Sequence, residues 1–184
     1  MRHTFLALLL AATPLLAQEK PIDTQRSTIT VHVGKAGLLS MAGHDHWISA
    51  AIASGVIDEA AGRVEFKVAT ASMKVRPDPN VDAKTRATIQ KDMEDMTLET
   101  AKYPEISFRS TGINKVSEGQ YKVDGMLSLH GVSKPVTVTV NRDGGSFTGR
   151  AVITQTDFGI KPISVAGGTI RVQNAVEVTF AIFR

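Results

Sequence analysis

The feature that most constrains the fold is an alternation of apolar and polar residues that runs through most of the chain. In the stretch VTVTVN, at residues 136–141, the valines fall on one side of an extended chain and the threonines on the other. Because successive side chains of a β-strand point to opposite faces, this period of two predicts strands with one buried face. An alanine-rich segment, residues 44–57, alternates less regularly. The regular segments are residues 28–33, 64–70, 105–111, 121–130, 136–141, 147–156 and 177–183.

Eight strands joined by short connections are typical of an antiparallel barrel or sandwich. Glycine, asparagine, aspartate and serine fill the gaps between the strands, as in EAAG, VSEG and RDGG. Each strand is apolar on one face only, which is expected where an antiparallel sheet curls around an apolar interior. The inward residues are mostly valine, isoleucine and leucine, with few bulky rings, which favours a cavity over a filled core. We therefore predict an all-β, eight-stranded antiparallel barrel.

One segment, residues 82–102, breaks the pattern and predicts a helix. It contains neither glycine nor proline, and Ile89, Met93 and Met96 recur at helical spacing. Asp82 can cap the first turn. This α-helix is inserted between strands 3 and 4. Its apolar stripe has two interpretations, a flexible lid over an apolar channel or simple packing against the barrel, of which the second is favoured.

The first residues predict export. The chain opens MRHTFLALLLAATPLLAQEK, in which a short basic start precedes an uncharged apolar run. That order is typical of a secretory signal peptide, and the run is too short to anchor the chain in a bilayer. We predict cleavage after Ala17, so that residues 1–17 form the signal peptide and residues 18–184 form one domain. No later segment offers eighteen consecutive apolar residues, so we expect no membrane span after signal removal.

Composition and motifs exclude several classes of protein. The chain has no cysteine, which excludes disulfides, iron–sulfur clusters and cysteine-based zinc sites. The formal net charge is +3, and the basic residues are scattered, so the sequence does not favour nucleic-acid binding. The sequence also lacks a G-x-S-x-G elbow, a phosphate loop, an H-E-x-x-H helix and a dinucleotide fingerprint. We therefore expect a protein that is not an enzyme and that needs no cofactor.

The stretch GHDHW places two of the five histidines around a carboxylate. In a strand His44 and His46 share one face, and Asp45 and Trp47 take the other. The two histidines have three interpretations: a strand end bonded to backbone or solvent, a contact with a ligand's head group near the barrel mouth, or a metal site.

A metal site at His44 and His46 requires further ligands, because zinc sites use three or four protein ligands. His32 and His130 are the other imidazoles outside the signal peptide, and both are predicted on the polar faces of their strands. Acidic residues could complete such a shell, so the metal interpretation stays open.

Three motifs go beyond periodicity. They are GMLSLHGVSKPV at residues 125–136, YPEISFRST at residues 103–111 and DFGI at residues 157–160. With them the chain resembles the YceI-like family of exported lipid-binding proteins, over residues 22–183. The resemblance implies a lipocalin-like barrel that holds a polyisoprenoid or similar lipid in a Gram-negative periplasm, with no catalysis. The chain departs from the family's usual pattern at Gly43 to His46 and in a longer helical insertion.

The predicted function is that of an exported carrier, periplasmic or secreted, that sequesters a long-chain lipid inside the barrel. The alternative is an exported metal-binding protein or metal-dependent hydrolase that uses His44 and His46. A third possibility is an empty barrel that binds other envelope proteins. A homodimer is also left open. The candidate head-group or mouth residues are His44, His46, Met93 and Met96. The candidate lipid-binding residues of the interior are Val31, Phe66, Val68, Ile106, Phe108, Val123, Leu127, Leu129, Val136, Val138 and Phe180.

Overall fold

The structure is a computed structural model that describes residues 19–37 and 44–184. The predicted signal peptide, residues 1–17, lies outside the described residues. The described part is built almost entirely from β-strands. The strands are β1 (Lys20–Pro21), β2 (Thr28–Val33), β3 (Lys35–Ala36), β4 (His46–Ala50), β5 (Ile52–Asp58), β6 (Arg63–Ala69), β7 (Lys74–Val75), β8 (Glu105–Ser117), β9 (Gln120–Leu129), β10 (Val132–Asp143), β11 (Ser146–Thr154), β12 (Ser164–Val165), β13 (Ile170–Val172) and β14 (Ala175–Phe183).

Eleven of these strands form one antiparallel sheet that curls back on itself. The order is β1-β5-β6-β8-β9-β10-β11-β14-β2-β4-β7. β4 and β5 stand near opposite ends of this order, yet only Ala51 separates them in the chain. One bent strand therefore joins the two ends of the sheet. The pairing of β5 with β6 shifts between Ile52 and Ser54, and such irregularities bend a strand.

The predicted fold class is confirmed, with differences in detail. If β4 and β5 count as one bent strand, the long strands correspond to the eight predicted ones. The additional strands β1, β3, β7, β12 and β13 are only two or three residues long. They were not predicted because so short a segment shows no alternation. β3, β12 and β13 form a separate small sheet.

The inserted helix is shorter than predicted. Helix α1 spans Ala83–Asp92, and a wider π-helical turn follows at Met93–Thr97. Asp82 caps α1 as expected, since its carboxylate accepts a 2.9 Å hydrogen bond from the Thr85 amide. The helical segment stops at Glu99, whose backbone lies in the left-handed region at φ 44°. Of the helices in the described ranges, none is both long enough and apolar enough to cross a membrane.

The antiparallel order gives the barrel two different ends. At the hairpin end, short turns at residues 59–62, 118–119 and 144–145 join the strands. The connection end carries the links at residues 70–104, 130–131 and 155–174, and also the described residues 34–37 and 44–45, which follow β2 and precede β4. The helix and the small sheet belong to this end. The two ends present different chemistry to the interior.

Candidate functional site

The barrel encloses a cavity of about 230 Å³. Inward-facing side chains of β2, β4, β5, β6, β8, β9, β10, β11 and β14 form most of its wall. Period-two alternation explains this wall, because every second residue of each strand points inward. Apart from Thr97 and Gln155, the lining residues are all apolar. The interior is therefore suited to hydrocarbon.

The register of the sheet brings inward side chains of neighbouring strands together. Phe66 on β6 lies opposite Phe108 on β8, which in turn lies opposite Leu127 on β9. The Phe66 and Phe108 rings stack with their centroids 5.5 Å apart. Gly125 makes room for Phe108, since a Cβ at that position would lie 2.5 Å from the ring atom Cε2. The wall thus combines rings with branched aliphatic side chains.

The structure places all the predicted interior residues on the cavity wall. Sequence alternation identified their inward direction, but their role in binding a lipid remains a prediction. The residues in question are Val31, Phe66, Val68, Ile106, Phe108, Val123, Leu127, Leu129, Val136, Val138 and Phe180.

Several wall residues at the connection end were not predicted. Met73 follows β6, Leu98 follows the π-helical turn, and Gln155 and Ile160 follow β11. They close the cavity from the connection end. Met73, Leu98 and Ile160 lie in segments without a period of two, whereas Gln155 lies in the alternating segment 147–156 and was not predicted because it is polar.

The two candidate methionines are separated by the structure. Met93 is 5 % exposed and lines the cavity, whereas Met96 is 66 % exposed and does not. An α-helix would keep Ile89, Met93 and Met96 on one face, but the wider turn that starts at Met93 rotates the later residue away. Of this stripe, only Met93 belongs to the wall.

His44 and His46 lie at the connection end, outside the cavity lining, and their assignment to the barrel mouth stays a prediction. His46 opens β4 and, by alternation, shares the inner face with Ile48, which lines the cavity. Burial lowers the pKa of His46, the neighbouring His44 lowers it further, and Asp45 and Asp78 oppose the shift. Within residues 19–37 and 44–184, no three His, Cys, Asp or Glu side chains are grouped so that they could hold a metal ion.

The histidine that contacts Asp45 is His32, not one of the two histidines next to it in the sequence. Its Oδ2 lies 3.2 Å from Nε2 of His32 on the neighbouring strand, and its Oδ1 accepts a 3.0 Å bond from the Lys35 amide. Burial alone would raise the pKa of Asp45, but the bond from Lys35 and the contact with His32 outweigh it and lower the pKa. The Trp47 ring stacks on His32 at 4.7 Å. This outward cluster agrees with the predicted separation of Asp45 from His44 and His46.

His130 was predicted on a polar strand face, and this was wrong. It lies in the turn after β9 with φ 52°, and its side chain is only 10 % exposed. Its Nε2 lies 2.6 Å from a carboxylate oxygen of Glu99, and its Nδ1 lies 3.3 Å from the Phe158 carbonyl oxygen. His130 therefore ties the end of the helical insertion to the segment that follows β11.

Comparison with known proteins places this geometry in a family. The model of the YceI-like domain matches residues 21–183. A UPF0312 protein of Shewanella denitrificans is 28 % identical over 195 aligned positions, which cover 96 % of this chain and 98 % of that protein. A UPF0312 protein of Pseudomonas savastanoi pv. phaseolicola is 39 % identical over 74 residues, 35 % of this chain. The match spans only 38 % of the length of that second relative.

Two solved structures share the fold at low sequence identity. Burkholderia cenocepacia BcnA has a TM-score of 0.58 and 16 % identity, with 89 % of this chain and 99 % of that chain covered. A polyisoprenoid binding domain from Saccharophagus degradans, implicated in plant cell wall breakdown, has a TM-score of 0.59 and 17 % identity. That match covers 89 % of this chain and 95 % of the other. The curled sheet, its apolar interior and the match over nearly the whole chain agree, and the protein belongs to the YceI-like domain family.

Proposed function

We propose that the protein is an exported carrier that holds one long-chain apolar or amphipathic lipid, of the polyisoprenoid class, inside its barrel. The observation that carries this proposal is the apolar cavity of about 230 Å³. Water gains few hydrogen bonds in such a space, and an engineered apolar cavity of about 150 Å³ stays dry and takes up benzene. Hydrocarbon is the chemistry that this wall favours.

The energetics of burial support a lipid tail as the ligand. Each buried methylene contributes roughly 0.8 kcal/mol, so one isoprene unit contributes about 3 to 4 kcal/mol before losses. Ordering the chain and losing translational freedom offset a large part of that gain. A few units therefore give useful affinity without a strong polar contact.

One solved structure of the same fold supports the ligand class, and the first residues support export. The Saccharophagus degradans domain of the same fold is described as polyisoprenoid binding. The signal peptide predicted at residues 1–17 would direct the mature chain, residues 18–184, to the periplasm or the exterior. In this proposal the protein binds and carries its ligand and catalyses no reaction.

The test is to look for a lipid that remains bound during purification. We expect native mass spectrometry of the exported protein to show an added mass, and organic extraction to release a lipid at close to the protein's molarity. The same spectrum reports the oligomeric state, for which a homodimer is one expectation. A protein that emerges empty, and that takes up no prenyl lipid when one is offered, would contradict the proposal.

Two neighbouring residues on β9 provide a matched pair of variants. Leu127 lines the cavity, whereas Met126 points outward and is 37 % exposed. Leu127→Trp should fill the interior and reduce the co-purified lipid severalfold, and Met126→Trp should leave it unchanged. Val138→Phe, a smaller filling change, serves if Leu127→Trp does not fold. Equal lipid in folded inward and outward variants would exclude the cavity as the binding site.

Metal analysis of the same samples tests the alternative function at His44 and His46. The carrier proposal expects no stoichiometric metal that depends on these residues. Zinc or copper bound at the protein's molarity, and lost in both His44→Ala and His46→Ala, would favour the metal-dependent alternative.

A further inference from the structure

The polar side chains of the cavity wall lie together at one end. Thr97 is the last residue of the π-helical turn, and Gln155 is the first residue after β11. Both therefore belong to the connection end. The imidazole of His130 bonds Glu99, two residues after Thr97, and Phe158, three residues after Gln155. At the hairpin end the lining residues, such as Val64, are apolar. The two polar residues of an otherwise apolar wall therefore both lie at the connection end.

Hydrogen bonds hold both the backbone and the side chain of Gln155 in place. It is 6 % exposed. Its backbone amide donates to the Asn174 carbonyl at 2.8 Å, and its own carbonyl accepts from the Ile160 amide at 3.1 Å. Its side-chain Nε2 donates to the Gln173 carbonyl at 2.8 Å. Both the backbone and the amide group of this side chain are held in place.

That arrangement leaves one acceptor unused. A backbone carbonyl can only accept, so the amide nitrogen of Gln155 must face Gln173 and Oε1 must face elsewhere. Oε1 accepts no hydrogen bond within the described residues, and it keeps some accessible surface, because Glu65 Oε1 is the only fully buried polar side-chain atom without a hydrogen-bond partner there. An accessible amide oxygen can accept a hydrogen bond from a donor that approaches it. Because Gln155 lines the cavity, a ligand can supply it.

The wall also restricts the charge of that ligand. No charged side chain lines the cavity among the residues that the structure describes. An ionised diphosphate or carboxylate placed inside would lack a counter-charge, which is costly in an apolar environment. A head group that carries only acceptors would leave Gln155 Oε1 unpaired. A neutral head group with a hydrogen-bond donor satisfies both conditions.

We propose that Gln155 is the head-group anchor of the cavity, and that the ligand is a prenyl-type lipid with a neutral, hydroxyl-bearing head. The hydroxyl donates to Oε1 of Gln155 at the connection end, and the tail extends towards the hairpin end. This inference rests on the proposed lipid-carrier function and adds the orientation and the head-group class.

The test compares three probes that share one tail. Farnesol, farnesyl methyl ether and farnesyl diphosphate are titrated into the delipidated full-length mature protein, with displacement of a fluorescent apolar probe as the measurement. We expect farnesol to bind about tenfold more tightly than the methyl ether, which keeps the oxygen and loses the donor. We also expect the diphosphate to bind more weakly than farnesol.

Variants then test whether Gln155 causes the preference for farnesol over its methyl ether. Gln155→Leu should reduce the farnesol-to-ether affinity ratio to about one, and Gln155→Met serves if the first variant does not fold. Gln90→Leu is the matched control, because Gln90 also donates its amide to a backbone carbonyl, that of Met73, but lies outside the cavity lining. The farnesol-to-ether affinity ratio of Gln90→Leu should equal that of the unmodified protein.

The outcomes separate this inference from the carrier function. If farnesol and its ether bind equally well to the unmodified protein, or if Gln155→Leu keeps the preference, the anchor is wrong while the carrier function stands. Tighter binding of the diphosphate would also overturn the neutral-head proposal. If none of the three probes binds, both proposals fail together.

Discussion

The two ends of the barrel differ in how their segments are connected. At the hairpin end, regular strand pairing continues to short turns, each with a glycine in the left-handed region, at Gly62, Gly119 and Gly144. At the connection end, individual polar side chains link segments that are distant in sequence, as His130 links Glu99 to Phe158. At the hairpin end side-chain ion pairs of Glu59 with Arg142 and Arg184 supplement the strand pairing, whereas at the connection end side-chain bonds link long segments that lie outside the strands.

Because of this difference, we expect one end to matter more for stability and the other to matter more for ligand selectivity. The hairpin end offers the ligand an apolar wall with little chemical selectivity, and some of its positions, such as Gly149, have no room for a larger side chain. The connection end carries Thr97 and Gln155 in the wall, and His46 begins β4 at the same end. Changes at the hairpin end should therefore affect folding most, and changes at the connection end should affect local order, pH response and selectivity.

The largest expected effect is a volume change at the hairpin end. Gly149 on β11 is paired with Val140 and Phe180. In Gly149→Ala the new Cβ would lie 2.6 Å from Phe180 Cζ and closer still to the Thr139 carbonyl oxygen, which cannot move without breaking the ladder. We expect a loss of about 2 to 3 kcal/mol in the free energy of unfolding, measured by denaturant titration.

Gly145 in the adjacent turn is the control for this substitution. A Cβ there would have its nearest contact at 3.6 Å, an ordinary van der Waals distance. Gly145→Ala should change the free energy of unfolding by no more than about 0.5 kcal/mol. Equal losses of unfolding free energy in the two variants would show that close packing does not limit which substitutions this end accepts.

A smaller effect is expected from His130→Ala at the connection end. It removes the contacts to Glu99 and Phe158 from a side chain that is 10 % exposed, and we expect a loss of about 1 to 2 kcal/mol. Hydrogen exchange should become faster for amides in residues 93–99 and 155–160. Amides close to the turn at residues 144–145 should keep their protection.

His32→Ala provides the comparison, because His32 also contacts a carboxylate, that of Asp45. The His32 side chain is 37 % exposed, and exposed pairs of this kind contribute little. The change should stay within about 0.5 kcal/mol. Uniform loss of protection at both ends in His130→Ala would refute the idea that His130 acts locally.

The smallest expected effect is a pH dependence that originates at His46. Burial and the nearby His44 lower its pKa from the ordinary value of 6.5, so the fold favours the neutral imidazole. The stabilising contribution is complete above pH 6.5 and is lost as the pH falls towards the lowered pKa, because the unfolded chain takes up the proton first. Solvent screening limits the effect to less than about 1 kcal/mol.

Melting temperatures at pH 7.5 and pH 5.5 measure this contribution. His46→Gln should melt close to the unmodified protein at the higher pH and lose less stability at the lower one. An identical decrease in both proteins would place the acid sensitivity at other groups.

Much of the fold could be predicted because its signal is local. Alternation shows which face of each strand is buried, and in an antiparallel sheet that face is the interior. For this reason Phe66, Leu127 and Val138 could be placed on the inner wall from the sequence. Asp82 was predicted as a helix cap because a cap depends only on the next few residues, and Thr85 bonds it as expected.

The site at the connection end could not be predicted in the same way. His130 and Glu99 are 31 residues apart, and His130 and Phe158 are 28 apart. No periodic pattern connects such positions, and the positive φ of His130 removes it from the strand on which alternation had placed it. Met96 was assigned to the wrong face for a related reason, because the π-helical turn interrupts the helical spacing.

The sequence by itself determined the class of fold, the family and the apolar character of the interior, because these depend on residue type and on a period of two. Tertiary structure decided that the interior is hollow, since a cavity depends on how side chains from nine strands fill a common space. It also decided that Gln155 keeps an unpaired oxygen at one end, because that depends on which distant carbonyl occupies its amide nitrogen. The local pattern shows to which face each side chain points, and only the folded chain shows which side chains meet in the interior.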